Sequence, residues 1–189
     1  MEQISVKELM VPISEYATVT VGTSLIDAVI ALEKAQEAYS ASKYQHRAIL
    51  VLDENNAVIG KISQVLLLAT IETRYDLGCD VESLSRFKFS DQYIADKREQ
   101  YRLEGPILDD ESFRTLVQKK VEEFMQRPTP GEFVSEESTL DVAIHKLVAG
   151  TLQSLLVTRG KEIVGILRTG DVFASVYQEI RKKAESLGS

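Results

Sequence analysis

The chain has 189 residues, of which 22 are basic and 29 acidic, giving a formal net charge of −7. Its apolar fraction of 44% and charged fraction of 27% are typical of globular chains and argue against whole-chain disorder or a fibrous repeat. The length suits one ordinary domain or two small ones, and the acidic balance argues against general nucleic-acid binding.

The composition also restricts the chemistry that we expect. A single cysteine, Cys79, can form no disulfide within the chain, and with only 2 histidines it argues against a structural zinc site. The first residues lack the basic start and apolar run of a signal peptide. The longest apolar stretch, residues 65–71, is far shorter than the roughly 20 residues of a membrane span. We therefore expect a soluble cytoplasmic protein without a metal site, and the composition indicates no particular cofactor.

The chain contains an internal repeat. Residues 6–10 (VKELM) resemble residues 121–125 (VEEFM), at an offset of 115. Residues 58–62 (VIGKI) resemble residues 163–167 (IVGIL), at an offset of 105, so we place ten extra residues of the first copy between Leu32 and Ala48. The offset of 115 also pairs Val19 with Val134, Leu25 with Leu140, Ala28 with Ala143, and Leu32 with Leu147.

The sequence of each copy predicts the same secondary-structure elements in the same order. A short helical turn leads to an extended segment, then to an amphipathic helix with apolar residues at i, i+3, i+4 and i+7. Thr23-Ser24 and Ser138-Thr139 are the candidate N-caps of these long helices. A β-hairpin and a closing helix follow. A β-α-β-β-α unit of this size buries only a marginal core, so we expect an α+β fold in which two copies pack with pseudo-twofold symmetry.

Residues 73–118 belong to neither copy, and we predict a helical insert there. Residues 90–102 are typical of a helix, residues 104–106 interrupt the pattern, and the acids of residues 109–112 suit the start of another helix. We expect the aromatic residues of the insert to pack on the core or on a second subunit: Phe87, Phe89, Tyr93 and Tyr101. The predicted segments are residues 1–72, 73–118 and 119–189.

The second copy ends its hairpin with the motif Gly165-Ile166-Leu167-Arg168-Thr169-Gly170-Asp171. Together with the ordered repeat, this motif resembles the CBS-domain pair, also called the Bateman module. The first copy keeps the glycine as Gly60 and a serine as Ser63, but Leu66 stands where the family has an acid. The resemblance covers both copies. Because the first copy lacks the acid, we interpret it as a degenerate half.

The second-copy motif has the chemistry of an anion and ribose site. The unpaired N–H groups of a helix starting near Thr169 face an incoming anion, and the Thr169 hydroxyl adds a further polar group. The Asp171 carboxylate is suited to accept two hydrogen bonds from a ribose diol. The Arg168 guanidinium suits a phosphate, which it can bind as a fork.

The resemblance implies that an adenosine-type ligand lies in the cleft between the copies, with AMP, ADP, ATP and S-adenosylmethionine as candidates. In the family, the extended segment before the long helix meets the base, and here that segment is residues 129–134. The implied contacts beyond the motif's polar residues are Pro130, Gly131, Phe133, Val134, Ser154 and Ile166. Weaker candidates are Ser63, His46 and Arg47.

Purely structural roles remain open as alternatives to these ligand-binding roles. The alternative for Asp171 is that it only favours a helix N-terminus, and the alternatives for Arg168 are a surface position or a pair with Glu162. Ser63 suits an N-cap, and His46 with Arg47 suits surface or hydrogen-bonded polar groups. The resemblance implies a regulatory homodimer that signals to a protein partner in trans. The alternative is a ligand-free scaffold for protein–protein interaction and dimerisation. No acid, base and nucleophile come together, so we expect no enzyme.

Overall fold

In a computed structural model of the chain, residues 4–39, 45–72, 90–103 and 110–187 are described. Several predictions fall outside these ranges. They concern Cys79, Phe87, Phe89 and the helix break at residues 104–106, and the side chain of Tyr101 is also not described.

The first repeat begins with the short helix α1 (Val6–Leu9), the two-residue strand β1 (Val11–Pro12) and a 3₁₀ turn (Ile13–Glu15). The remaining elements of this repeat are β2 (Thr18–Thr20), α2 (Leu25–Ala38), β3 (Ala48–Leu52), β4 (Val58–Ser63) and α3 (Gln64–Ile71). Ser24 caps α2 as predicted, because its hydroxyl accepts a hydrogen bond of 3.1 Å from the Asp27 N–H.

The described residues between the repeats contain two helices, α4 (Asp91–Leu103) and α5 (Asp110–Gln118). The second repeat then comprises α6 (Val121–Phe124), a 3₁₀ turn (Pro130–Glu132), β5 (Phe133–Ser135), α7 (Leu140–Ala149), β6 (Ser154–Arg159), β7 (Glu162–Arg168) and α8 (Thr169–Leu187). Its order matches that of the first repeat, although α8 is much longer than its counterpart α3.

Each repeat builds a small sheet with the same topology. The order β2-β3-β4 in one sheet matches β5-β6-β7 in the other, with the first pair parallel and the second pair a hairpin. A fourth strand extends the second sheet, because β1 pairs antiparallel with β7. Both predicted hairpins are therefore confirmed.

The extra residues of the first repeat are divided differently from our prediction. Thr18 pairs with Leu50 and the equivalent Phe133 pairs with Leu156, so β3 and β6 are related by an offset of 106. Nine extra residues therefore precede β3, and one lies in the hairpin turn. Placing all ten before Ala48 was wrong, because a short apolar run does not fix strand register.

The leading segments of the two repeats are exchanged. Val6 of α1 is buried in the core of the second repeat, and Val121 of α6 in the core of the first. The Val6 N–H donates to the Ser138 carbonyl (2.9 Å), and the Val121 N–H donates to the Thr23 carbonyl (3.0 Å). These two bonds are equivalent under the repeat offset of 115, which is direct evidence of pseudo-twofold symmetry.

A third apolar cluster joins the two repeats. Leu50 of β3 and the equivalent Leu156 of β6 are both fully buried there, together with Val11, Tyr16 and Ile166. Within the residues that the structure describes, no helix is long and apolar enough to cross a membrane.

Candidate functional site

The junction of β7 and α8 is the centre of the candidate site. Arg168 ends β7 directly opposite Ser154, the first residue of β6, and Thr169 begins α8. The Thr169 N–H and hydroxyl both donate to the carbonyl of Gln153, at 3.0 and 2.8 Å. These bonds fix the start of α8 to the start of β6, so the predicted residues Ser154, Arg168 and Thr169 are brought together.

Arg168 and Asp171 form a bidentate ion pair across the first turn of α8. The Arg168 Nε lies 2.5 Å from one carboxylate oxygen of Asp171, and a terminal guanidinium nitrogen lies 2.8 Å from the other. Burial opposes the charge of Arg168, but the hydrogen bond and the charge of Asp171 raise the Arg168 pKa above its usual value. Arg168 is neither a surface residue nor a partner of Glu162, and both of those alternatives were wrong.

Aromatic side chains of the first repeat cover this pair. The Arg168 guanidinium carbon lies 5.3 Å from the centre of the Tyr39 ring, a distance typical of a cation–π contact. The His46 ring lies between Tyr39 and Tyr16, with ring centroids 4.6 and 4.4 Å apart. The candidate site is therefore built from both repeats.

His46 is fully buried, and neither of its ring nitrogens has a hydrogen-bond partner among the described residues. Burial lowers the pKa of His46, and the positive charge of Arg168 lowers it further. The expectation of a surface or hydrogen-bonded histidine was wrong. Burial also raises the pKa of Tyr16 to about 12, so this phenol is neutral at physiological pH.

The segment predicted to meet a base is not extended throughout. Residues 130–132 form a 3₁₀ turn, and extended structure begins only at Phe133. The turn forms because Pro130 suits the first helical position and the Glu132 carboxylate accepts a hydrogen bond of 3.1 Å from the Thr129 N–H. Glu132 also binds Lys61 of the first repeat, with 2.5 Å between Nζ and Oε2.

The other predicted contacts are divided between surface and core. Pro130 and Gly131 are exposed, and a side chain at Gly131 would meet open space. Phe133 is half-buried against the cluster that joins the repeats, Ile166 lies inside that cluster, and Val134 lies in the core of the second repeat. Val134 and Ile166 therefore support the site from within, with almost no surface of their own.

The equivalent junction in the first repeat has the structure of a plain helix start. The Ser63 hydroxyl accepts a hydrogen bond of 3.1 Å from the Leu66 N–H, which confirms its N-cap prediction. Arg47 is exposed, and its carbonyl accepts a hydrogen bond of 3.0 Å from the Gln64 N–H, equivalent to the bond between Thr169 and Gln153. Leu66 supplies no carboxylate.

Sequence reasoning missed four residues of the site: Tyr16, Tyr39, Lys61 and Glu132. A signal existed for Lys61, because it is the one charged residue in β4 and stands where the second repeat has Ile166. No signal existed for Tyr39, which lies in the stretch that the second repeat lacks.

Comparisons with known proteins identify the repeat. Residues 121–177 match the family model described as CBS domain. The second repeat matches the CBS domain. No curated protein sequence matches this chain.

Solved structures share the fold. A CBS domain-containing protein of unknown function from Bacillus anthracis is 21% identical, with a TM-score of 0.61 over 94% of this chain and 95% of that one. CBSX2 of Arabidopsis thaliana, solved in complex with AMP, is 19% identical, with a TM-score of 0.57 over 93% and 97%. The CBS domain pair of protein MJ0100, in complex with 5′-methylthioadenosine and S-adenosyl-L-methionine, is 14% identical, with a TM-score of 0.55 over 93% and 97%. The chain has the fold of a CBS-domain pair, as the repeat and motif predicted.

Proposed function

We propose that this CBS-domain pair is a sensor that binds an adenine nucleotide or another adenosyl compound beside the junction of β7 and α8. The observation that carries the proposal is the position of Asp171. Its carboxylate lies in the first turn of α8 and binds Arg168, which is paired with Ser154 and lies against Tyr39 of the first repeat.

The chemistry of the junction supports such a ligand. Each carboxylate oxygen has two lone pairs, and the bidentate contact with Arg168 occupies one lone pair on each. The second lone pair of each oxygen suits a ribose hydroxyl. The neighbouring start of α8 favours a negative group, so a phosphate near it is favoured by the helix dipole as well as by Arg168.

The structural relatives support the same ligand class. CBSX2 was solved with AMP, and the MJ0100 pair with 5′-methylthioadenosine and S-adenosyl-L-methionine. We carry this ligand class over to the present chain as part of the proposal.

Signalling follows from the two-repeat construction of the site. Tyr39 of the first repeat lies against Arg168 of the second, and His46 packs against Tyr39. A ligand that binds at this contact prefers one relative placement of the repeats, and a partner protein reads that placement. We propose that this output acts in trans and in the cytoplasm, from a homodimer, and that the chain itself catalyses no reaction.

Calorimetric titration with AMP, ADP, ATP and S-adenosylmethionine tests the ligand and its site. The wild type is compared with Asp171→Asn, which keeps the shape of the side chain, and with Asp141→Asn as the matched control. Asp141 is an exposed acid in the first turn of α7. We expect micromolar binding that weakens at least about tenfold, or ~1.4 kcal/mol, in Asp171→Asn and is unchanged in Asp141→Asn.

Two other outcomes contradict parts of the proposal. Binding that ignores Asp171→Asn would place the ligand elsewhere. An absence of heat with all four compounds would favour the scaffold function instead.

A further inference from the structure

The side chains that the proposed ligand must reach are enclosed. Those of Arg168 and Asp171 are only 6% and 14% exposed, and Ser154, which lies opposite Arg168, is buried as well. A ribose and a phosphate together need more surface than these side chains present to solvent. An adenosyl ligand can therefore form its contacts here only if a neighbouring side chain moves.

Of the three rings beside the ion pair, Tyr39 is the outermost. Tyr16 and His46 are buried, whereas Tyr39 is half-buried. The Tyr39 ring lies over the Arg168 guanidinium, and the His46 ring packs against Tyr39 and Tyr16. Tyr39 is therefore the ring nearest to solvent.

Tyr39 is also the ring that can move with the least disturbance of the fold. It is the C-cap of α2, with a ψ angle of 77°, and its N–H donates the final bond of the helix to the Ala35 carbonyl at 3.0 Å. A helix end frays more easily than a strand opens within a sheet. Tyr16 and His46 lie just before β2 and β3, so their movement would disturb the sheet.

The aromatic cover and the acid occur together in one half of the structure. The repeat offset of 115 places Gly131 where the first repeat has Tyr16, and a side chain at Gly131 would meet open space. Tyr39 lies in the stretch that the second repeat lacks. The repeat offsets therefore give the junction of the first repeat, where Leu66 replaces the acid, no equivalent of either tyrosine.

We propose that Tyr39 competes with the adenosyl ligand for the site at Arg168 and Asp171 and is displaced when the ligand binds. An arginine guanidinium stacks on flat aromatic groups, and an adenine ring offers the same kind of face as Tyr39. Displacement exchanges one stacking partner for another and uncovers the oxygens of Asp171 for the ribose. This inference rests on the proposed function and adds its regulation, because Tyr39 lowers the affinity of the site.

Calorimetric titration of the full chain with AMP, ADP, ATP and S-adenosylmethionine tests the competition. For the compound that binds best, we expect Tyr39→Ala to lower the dissociation constant at least about fivefold, because no ring has to be displaced. Tyr39→Phe keeps the ring and should bind within about twofold of the wild type. Tyr177→Ala removes an exposed tyrosine from α8 and is the matched control, which should leave binding unchanged.

The outcomes separate this inference from the proposed function. Equal or weaker binding by Tyr39→Ala would overturn the competition, since Tyr39 would then be a wall of the site or irrelevant to it, and would leave the proposed function standing. An absence of heat with both the wild type and Tyr39→Ala would overturn the two together. Binding by Tyr39→Ala alone would support both.

Fluorine NMR of the full chain labelled with 3-fluorotyrosine observes the displacement directly. The chain has 7 tyrosines, and the signal of Tyr39 is the one that Tyr39→Phe lacks. On saturation with whichever of the four compounds binds best, we expect this signal to move toward that of the exposed Tyr177, which Tyr177→Phe identifies. A Tyr39 signal that keeps its position on saturation would contradict displacement, even if Tyr39→Ala were too unstable to titrate.

Discussion

Lys61 of β4 and Glu132 of the turn before β5 form an ion pair between the two repeats, with side chains only 11% and 13% exposed. Burial opposes the charge of Glu132, but the bonds from Lys61 and from the Thr129 N–H outweigh it and lower the Glu132 pKa. The repeat offsets place Ile166 and Ala17 at the equivalent positions of the other half. One half of the pseudo-twofold structure thus has a charged pair where the other has apolar residues.

This difference predicts the effect of removing the pair. Glu132→Ala should lower the free energy of unfolding by about 3–5 kcal/mol, because it leaves the Lys61 ammonium nearly buried without its partner. The double variant Lys61→Ile with Glu132→Ala copies the residues of the other half and should recover most of that loss. Urea unfolding of the single and double variants measures both effects. A double variant no more stable than the single one would contradict the explanation.

The buried ion pair between Arg168 and Asp171 should contribute more to stability than an exposed ion pair of the same repeat. Asp171→Ala should destabilise the protein by about 3–5 kcal/mol, since Arg168 stays buried and loses its bidentate carboxylate partner. The exposed pair of Arg181 and Glu185 on α8 is the control, and Glu185→Gln should change the stability by less than ~0.5 kcal/mol. Urea unfolding measures the change in the free energy of unfolding for both variants. Equal losses would show that burial does not increase the contribution of the ion pair.

The repeat explains how much of the fold could be predicted. Two copies of one pattern gave the element order, the hairpins and the long helices, because each of these depends on local periodicity and on turn residues. The exchange of α1 and α6 between the repeats could not be predicted. The apolar side of α1 suits either core equally well, and the choice depends on contacts more than 100 residues apart, such as that of Val6 with Ser138.

Only those side chains of the candidate site that lie close together in the sequence could be predicted. Arg168, Thr169 and Asp171 are close in sequence, and the structure keeps them together. Tyr39 reaches Arg168 from the other repeat, with His46 packed behind it, and no pattern in the sequence indicates that approach. Asp171 was predicted as a free ligand-binding carboxylate, and its bond to Arg168 was missed, although the spacing of three residues on a helix start permits it.

Gly60 and Gly165 occupy equivalent positions in the two repeats, but we expect their replacement by alanine to reduce stability by different amounts. A Cβ at Gly165 would lie 2.7 Å from the main-chain oxygen of Val11, so it would push β1 away from β7. At Gly60 the nearest atom is the sulfur of the flexible Met125 side chain. We expect Gly165→Ala to cost roughly 1–3 kcal/mol, as overpacking does, and Gly60→Ala to cost less.

The control for both glycines is Gly131→Ala, because its Cβ would meet open space. Thermal unfolding of the three variants should give the order Gly165→Ala lowest, then Gly60→Ala, then Gly131→Ala close to the wild type. A melting temperature of Gly165→Ala equal to that of Gly131→Ala would show that β1 does not lie tightly against β7.

His46 predicts a dependence of stability on pH. Its pKa in the folded protein is lower than the ordinary value of 6.5, because the ring is buried and faces Arg168. As the pH falls through 6.5, the unfolded chain takes up a proton that the folded chain does not, so stability is lost. Above pH 6.5 both states are neutral at this site and the contribution is fully present.

Urea unfolding between pH 7.5 and about 5.5 isolates this contribution, because carboxyl groups titrate mainly below that window. His46→Phe keeps an aromatic ring between Tyr16 and Tyr39 and should flatten the loss of stability toward acid. The only other histidine, His145, is exposed on α7, and His145→Gln should leave the slope of the wild type unchanged. A slope that persists in His46→Phe would mean that another group takes up the proton, and the buried, unpaired state of His46 would then need another explanation.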